Sequence, residues 1–280
     1  MTVSAPILMA VVAMFLFSFA DFALKRAADE GVKPYHSVMV QAWFFSSSMI
    51  LYAYFSGQLV PVPAALWGAA AGLCMVVGFS AFTRSLMGEP VSIQAPVFRL
   101  NFIIAAMVGF VFFGEALTPL KGVALALALL AVWLLLGNTR GAISRRALAQ
   151  VLVATVAVGL ANVLHKFGLR AGALPETLVA AQACVFVSVA TLQTLVIEKK
   201  IAPPRVAFRY PVVCAYLFLI GFLTLVRGLA VGEASVLVPI SQMGFVVTAM
   251  LGIVLLGERV TARKIAGLIA AVVSLAAFAW

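Results

Sequence analysis

Apolar residues run along this chain in long uninterrupted stretches, broken by short clusters of polar residues, proline and glycine. Cutting at those clusters leaves ten runs: about 5–26, 36–57, 64–84, 91–113, 118–137, 147–168, 176–197, 210–230, 235–256 and 261–280. A bilayer core of about 30 Å takes roughly 20 apolar residues of helix, so each run has the length of one membrane-crossing helix. The two-residue alternation of barrel strands is missing, which excludes a transmembrane β-barrel. The pattern predicts an all-α integral membrane fold of ten transmembrane helices.

The pattern is also duplicated. Displaced by 143 positions, Arg84 falls on Arg227, Ser92 on Ser235, Pro96 on Pro239 and Gly109 on Gly252. Gly114-Glu115 falls on Gly257-Glu258, Thr118 on Thr261 and Lys121 on Lys264. Between 84 and 121 there are 13 identities in 38 pairs, whereas unrelated apolar segments should agree at about a tenth of positions, so the match reads as a repeated unit. The expected domains are therefore two five-helix repeats, 1–138 and 147–280. An odd number of crossings inserts the halves in opposite directions, the inverted-repeat design of many secondary transporters.

Composition agrees: 65% of residues are hydrophobic, 10% are charged and mean hydropathy is +1.17, far from a soluble domain. The net charge of +10 does not point to nucleic acid, because the basic residues lie between apolar runs, where they orient the chain and meet anionic headgroups. Call the side on which the first run begins the N-terminal side. It carries four Lys and Arg (Lys121, Lys166, Arg170, Arg227), the opposite side fourteen, and Arg99 lies within a run. The positive-inside rule makes the basic side cytoplasmic and puts both termini outside. Lys25-Arg26 follow the first apolar run and no positive charge precedes it, the wrong polarity for a signal peptide, so a retained helix is expected. Cys74, Cys184 and Cys214 lie inside apolar runs without metal-ligand spacing and read as small buried apolar residues.

Thr118-Pro119 and Thr261 carry helix-start signals. Glu115 and Glu258 stand just before these starts, near the positive end of the following helix. Capping is the preferred reading for both, with proton coupling as the alternative. Gly68 and Gly72 form a GxxxG, and Gly267, Ala271 and Ser274 line a small-residue face. Such faces serve as internal helix contacts or as the seam of a homodimer.

The candidate chemistry centres on Arg99, about eight residues into the fourth run, too deep to snorkel. Ser92, Pro96 and Arg99 share one helix face, and Ser235, Pro239 and Gln242 form the equivalent face of the duplicate. Two proline-broken polar faces at equivalent positions point to a midplane substrate site. Asp21 and Lys25 in the first run have Asn162 and Lys166 as counterparts at a shift of 141, with His165 beside them. Asp21 could neutralise Arg99, neutralise Lys25 or carry a proton. His165 reads as an interfacial residue in preference to a proton relay. Gln41, Gln94, Asn101, Gln182 and Thr224 either line a cavity or bond helix to helix. Arg84 and Arg227 mark either two cationic mouths or headgroup anchors. Trp43, Phe79 and Phe82 read as packing or lipid contacts. No nucleotide-binding, zinc-hydrolase or nucleophile-elbow motif occurs, so no enzyme, metal or cofactor is expected.

The five-plus-five organisation, the two Gly-Glu marks and the Ala234-Ser-x-x-x-Pro239 stretch resemble the EamA-type transporters of the drug/metabolite transporter superfamily. The resemblance implies a multi-pass plasma (inner) membrane exporter or exchanger of small metabolites, with a central cavity opened alternately to each side. Ala116 and Arg99 depart from the family's common residues. The expected substrate is a small solute with a carboxylate or phosphate, such as an amino acid. Arg99 would meet the anion, Ser92, Ser235 and Gln242 would orient it, and Asp21 would carry a proton. The alternatives are a multidrug or cationic-metabolite exporter in which Asp21 binds the cation, and a lipid-headgroup flippase.

Overall fold

A computed structural model describes residues 4–87, 94, 97–136, 144–244, 246–247 and 261–279. Three of the candidate residues, Ser92, Pro96 and Glu258, lie outside them. The described residues form ten α-helices: α1 Ala5–Asp29, α2 Pro34–Phe55, α3 Ala65–Ser85, α4 Phe102–Phe112, α5 Pro119–Leu136, α6 Arg145–Arg170, α7 Pro175–Glu198, α8 Tyr210–Val231, α9 Ala234–Gln242 and α10 Ala262–Ala279. A short 3₁₀ helix, Arg205–Phe208, leads into α8. Six helical segments are long and apolar enough to cross a membrane, and three more are apolar but shorter.

The starts follow from sequence. Proline stands in the first turn of α1, α2, α7 and α8, where its missing N–H costs nothing. The Ser144 hydroxyl accepts from Ala147 N at 3.2 Å, and Thr118 Oγ1 accepts from Lys121 N at 3.3 Å, the expected cap.

Contacts between helices obey the duplication. Pairing α1 with α6, α2 with α7, α3 with α8, α4 with α9 and α5 with α10 makes every major contact recur. α1 lies on α8 as α6 lies on α3, and α2 on α8 as α7 on α3. α1 meets α9 as α6 meets α4, and three counterpart pairs (α2 with α7, α4 with α9, α5 with α10) pack directly on each other. α2 and α7 run antiparallel: Thr194 Oγ1 donates to Tyr35 O at 3.0 Å near one end, and Thr177 Oγ1 to Gln58 O at 2.7 Å at the other. Near their middle the counterpart rings of Phe45 and Phe186 meet edge to face, centroids 6.1 Å apart.

Small residues set the packing. Alanines such as Ala10, Ala13 and Ala20 are buried, while Leu66, Val111 and Val196 face outward, as a lipid-facing surface requires. A Cβ on Gly68 would lie 2.2 Å from Leu178 O, and one on Gly72 2.7 Å from Gln182 O. The GxxxG is therefore the seat of α7 on α3, an internal contact. The α10 face is internal too: Ser274 Oγ donates to Ala124 O of α5 at 2.7 Å. Of the cysteines only Cys214 is buried, Cys74 is partly so and Cys184 is exposed. The expectation of three buried cysteines is corrected for Cys184, whose position on α7 turns away from α2 and α3.

Gly68→Val should lower stability by about 1–3 kcal/mol, the usual cost of overpacking, read as a lower thermal midpoint in mild detergent. Gly122→Ala, with nothing within 4 Å of the added carbon, should leave it unchanged.

Candidate functional site

The fourth and ninth runs, each read from sequence as proline-broken, are broken at equivalent points. In the fourth, Leu100 N bonds to Val97 O at 3.1 Å and Ile103 N to Leu100 O at 3.0 Å. In the ninth, Met243 N bonds to Ile240 O at 3.1 Å and Val246 N to Met243 O at 3.0 Å. These are 3₁₀-type turns, displaced by the same 143 residues. Pro239 lies inside α9 and offers no N–H to the carbonyl a turn earlier.

Hydroxyls from neighbouring helices satisfy backbone at the breaks. Thr155 Oγ1 on α6 bonds to Val97 O at 3.0 Å, and Ser18 Oγ on α1 to Gly244 O at 3.0 Å. Glycine permits both crossings. A Cβ on Gly244 would sit 2.4 Å from Ser18 Oγ, and one on Gly159 2.9 Å from Asn101 O. Gly159 and Ser18 are counterparts, as are Asn101 and Gly244, so the equivalent crossings place their glycine on opposite partners.

Arg99 lies at the first break, 3% exposed. Its guanidinium forms an ion pair with Asp21 of α1. Nη1 also donates to Gln242 Oε1 at 2.9 Å, and Asn101 Nδ2 donates to the same oxygen at 3.1 Å. Arg99 and Gln242 are counterparts, so this bond joins equivalent points of the two halves. The Arg99 Nε–H is buried and has no partner among the described residues, and the same holds for Asn101 Oδ1. Of the three readings of Asp21, the structure places it on Arg99 and not on Lys25.

The remaining candidates divide. Gln242 joins the Arg99 centre. Ser235 does not: seven residues earlier on α9, it is about 10 Å away along the helix at 1.5 Å per residue. Asn162 is buried on α6, and its Nδ2 has no hydrogen-bond partner among the described residues. His165 is corrected from interfacial to fully buried, facing Gln182. α6 continues past it to Arg170, so His165 lies within the helix and packs inside the protein.

Glu115 does act as a cap, but on another helix than expected. Its carboxylate accepts from Ala234 N at 2.9 Å and Ser235 N at 2.8 Å, capping α9 of the other half instead of α5. Gly114, with φ 64°, turns the chain back at the end of α4 in the left-handed conformation that favours glycine. A Cβ on Gly109 would lie 2.6 Å from Glu115 Oε2, so that glycine makes room for the carboxylate. Lys166 holds the other side of the same junction: Nζ donates to Leu229 O at 2.8 Å and Gly232 O at 2.5 Å, at the end of α8. Lys121 pairs with Glu233, and Arg170 Nη2 donates to Phe113 O at 2.7 Å. Glu115, Lys166, Arg170 and Glu233 line a cavity of about 440 Å³ on the N-terminal side.

Arg227 is paired within the chain: its Nε donates to Glu176 at 2.7 Å and its Nη2 to Tyr52 at 2.6 Å. Arg84 lies over the Tyr35 ring, 5.9 Å from its centroid. Loops assigned by charge to one side do meet each other: on the basic side Lys33 pairs with Glu198, and Arg209 with Glu30.

The sequence reading missed the duplication in α2 and α7. A shift of 141 aligns Pro34, Val38, Gln41, Ala42, Phe45 and Ser47 with Pro175, Val179, Gln182, Ala183, Phe186 and Ser188, six identities in fourteen. Gln41 and Gln182 are both buried, and neither Oε1 has a hydrogen-bond partner among the described residues. That shift would have singled them out.

Broken helices from duplicated halves, joined by the Arg99–Gln242 bond beside a buried ion pair, fit the construction of a membrane transporter. Residues 4–137 and 145–280 each match the EamA-like transporter family, and the chain belongs to that family, within the drug/metabolite transporter superfamily. Members are transporters, not enzymes, and this is a multi-pass membrane protein. The chain is also similar to a protein of known crystal structure, with TM-score 0.80 over 99% of this chain and 96% of the other at 16% identity, a likeness of fold. No curated protein matches the sequence significantly.

Glu115→Ala should cost about 1–2 kcal/mol, as loss of a helix cap does, with Glu115→Gln in between. Thermal unfolding reads the energy, and faster hydrogen exchange at Ala234 and Ser235 locates it.

Proposed function

We propose that this protein is a secondary active transporter of a small solute bearing a carboxylate or phosphate, an amino acid being the model substrate. It works by alternating access around the Arg99 centre. The observation that carries this reading is the buried Arg99 guanidinium, with an Nε–H that no described residue accepts. A planar five-donor cation suits bidentate recognition of a carboxylate or phosphate. It sits between broken helices from both halves, the usual position of transporter substrate sites. Gln242 and Asn101 present amide groups beside it to orient the ligand.

The Lys and Arg bias favours a cytoplasmic basic side and termini on the outer face of an inner (plasma) membrane. On this reading the junction held by Glu115 and Lys166 belongs to the outer gate, where it opposes separation of α8 and α9 from α4. The cation-exporter alternative needs Asp21 for its ligand, and the ion pair with Arg99 weighs against it.

Arg99→Gln alone leaves a buried unpaired carboxylate, which typically costs 3–5 kcal/mol. Binding is therefore tested in Asp21→Asn/Arg99→Gln, where the pair is neutral. A ligand at 100 times its Kd stabilises the folded protein by about 2.7 kcal/mol. Carboxylates and phosphates should raise the thermal midpoint of wild type and not that of the double variant. Stabilisation of both proteins by the same anions would place the site elsewhere, and stabilisation by cations alone would favour the exporter reading.

A further inference from the structure

We propose that Asp21 is a tethered competitor for the substrate anion, and that its displacement from Arg99 couples each bound carboxylate to the uptake of one proton. The inference rests on the reading of Arg99 as the anion site and extends it to the coupling ion.

The argument starts from charge balance. Arg99 has one carboxylate partner, Asp21, and its other polar contact is the neutral Gln242. An arriving carboxylate either displaces Asp21 or crowds in beside it. In both cases two carboxylates stand in a buried site that holds one guanidinium, and two acids sharing a site cannot both stay ionised. Among the described residues, no second cation besides Arg99 stands at the centre for the displaced Asp21. Lys25 lies one turn further along α1, toward the basic surface. Arg84 is engaged over Tyr35. From α8 the nearest titratable group is Cys214, whose thiol donates to Ala20 O. The facing parts of α4, α6 and α9 bring Asn101, Thr155, Gly159 and Gln242, none of which titrates.

Asp21 therefore takes up a proton as the ligand's carboxylate takes its place. The Asp21 carboxylate plus H⁺ becomes the carboxylic acid, and the guanidinium keeps one anionic partner throughout. No other bond is made or broken. In the second half the counterpart of Asp21 is Asn162 and that of Arg99 is Gln242. The duplication thus supplies one half with a titrating acid and a cation, and the other with two amides. One coupling site per molecule follows. A monocarboxylate would then cross with a proton as a neutral pair, whereas a zwitterionic amino acid would carry one net positive charge.

The test is binding calorimetry on the full chain in mild detergent, with L-lactate, L-alanine, L-glutamate and inorganic phosphate as probes. Each titration is repeated in two buffers of different ionisation enthalpy, which yields the protons taken up per ligand. One proton per bound carboxylate is expected, with affinity falling about tenfold per unit rise in pH, as linkage to one proton requires. Asp21→Asn should bind the same probe at least tenfold tighter, with no proton uptake and a flat pH dependence. Wild-type binding without proton uptake overturns the coupling and leaves the anion site standing. So does an Asp21→Asn variant that binds no tighter. If no probe binds either protein, the anion-site reading fails and the coupling with it. Should Asp21→Asn not fold, the wild-type proton count and pH slope decide alone.

Discussion

A guanidinium in the middle of a membrane protein is the constraint from which the rest of this structure follows. A central arginine costs a helix roughly 2.5–3.5 kcal/mol on insertion scales, and removing one partner of a buried pair costs about 3–5 kcal/mol. Arg99 therefore requires an acid from another helix, Asp21, and an oxygen from the opposite repeat, Gln242. Meeting both demands needs backbone that departs from a regular helix. The turns at Leu100 and Met243 provide it, and hydroxyls of Thr155 and Ser18 satisfy carbonyls there. The helix breaks and the glycine crossings lie around this one buried charge.

The scaffold is nearly symmetric and its chemistry is not. Equivalent helices make equivalent contacts, and even the unwound turns coincide after a shift of 143 residues. Yet the equivalent positions hold Arg99 against Gln242 and Asp21 against Asn162. In the alternating-access reading proposed above, such symmetric packing would let the two halves exchange roles, the contacts of one state having counterparts in the other. The unequal charges put a single cation and its acid at the centre.

On the N-terminal side the halves are joined by charge on backbone. The Glu115 carboxylate on the start of α9 and the Lys166 ammonium on the end of α8 each complement a helix terminus of matching sign. Such bonds are directional and can be made and broken as units, unlike the continuous apolar packing of α3 on α6. Any motion that separates α4 from α9 must break the Glu115 contacts, since that residue spans the interface.

Hydrophobic patterning alone fixed the class of fold, because a chain this apolar can be stable only in lipid and each run has one span's length. The repeat was legible because duplication leaves identical residues at one spacing, and Arg99 stood out because charge is rare at membrane depth. Thr118 could be read as a cap because its partner lies three residues away. What sequence left open involved partners distant in the chain. Whether Asp21 faces Arg99 or Lys25, whether Glu115 caps α5 or α9, and whether Gly68 seats a neighbour or a second copy are questions about which helices touch. Spacing along one helix fixes a side chain's direction and says nothing of what stands opposite. Only the tertiary arrangement, set by the close approach of small residues across helices from both halves, decided those pairings.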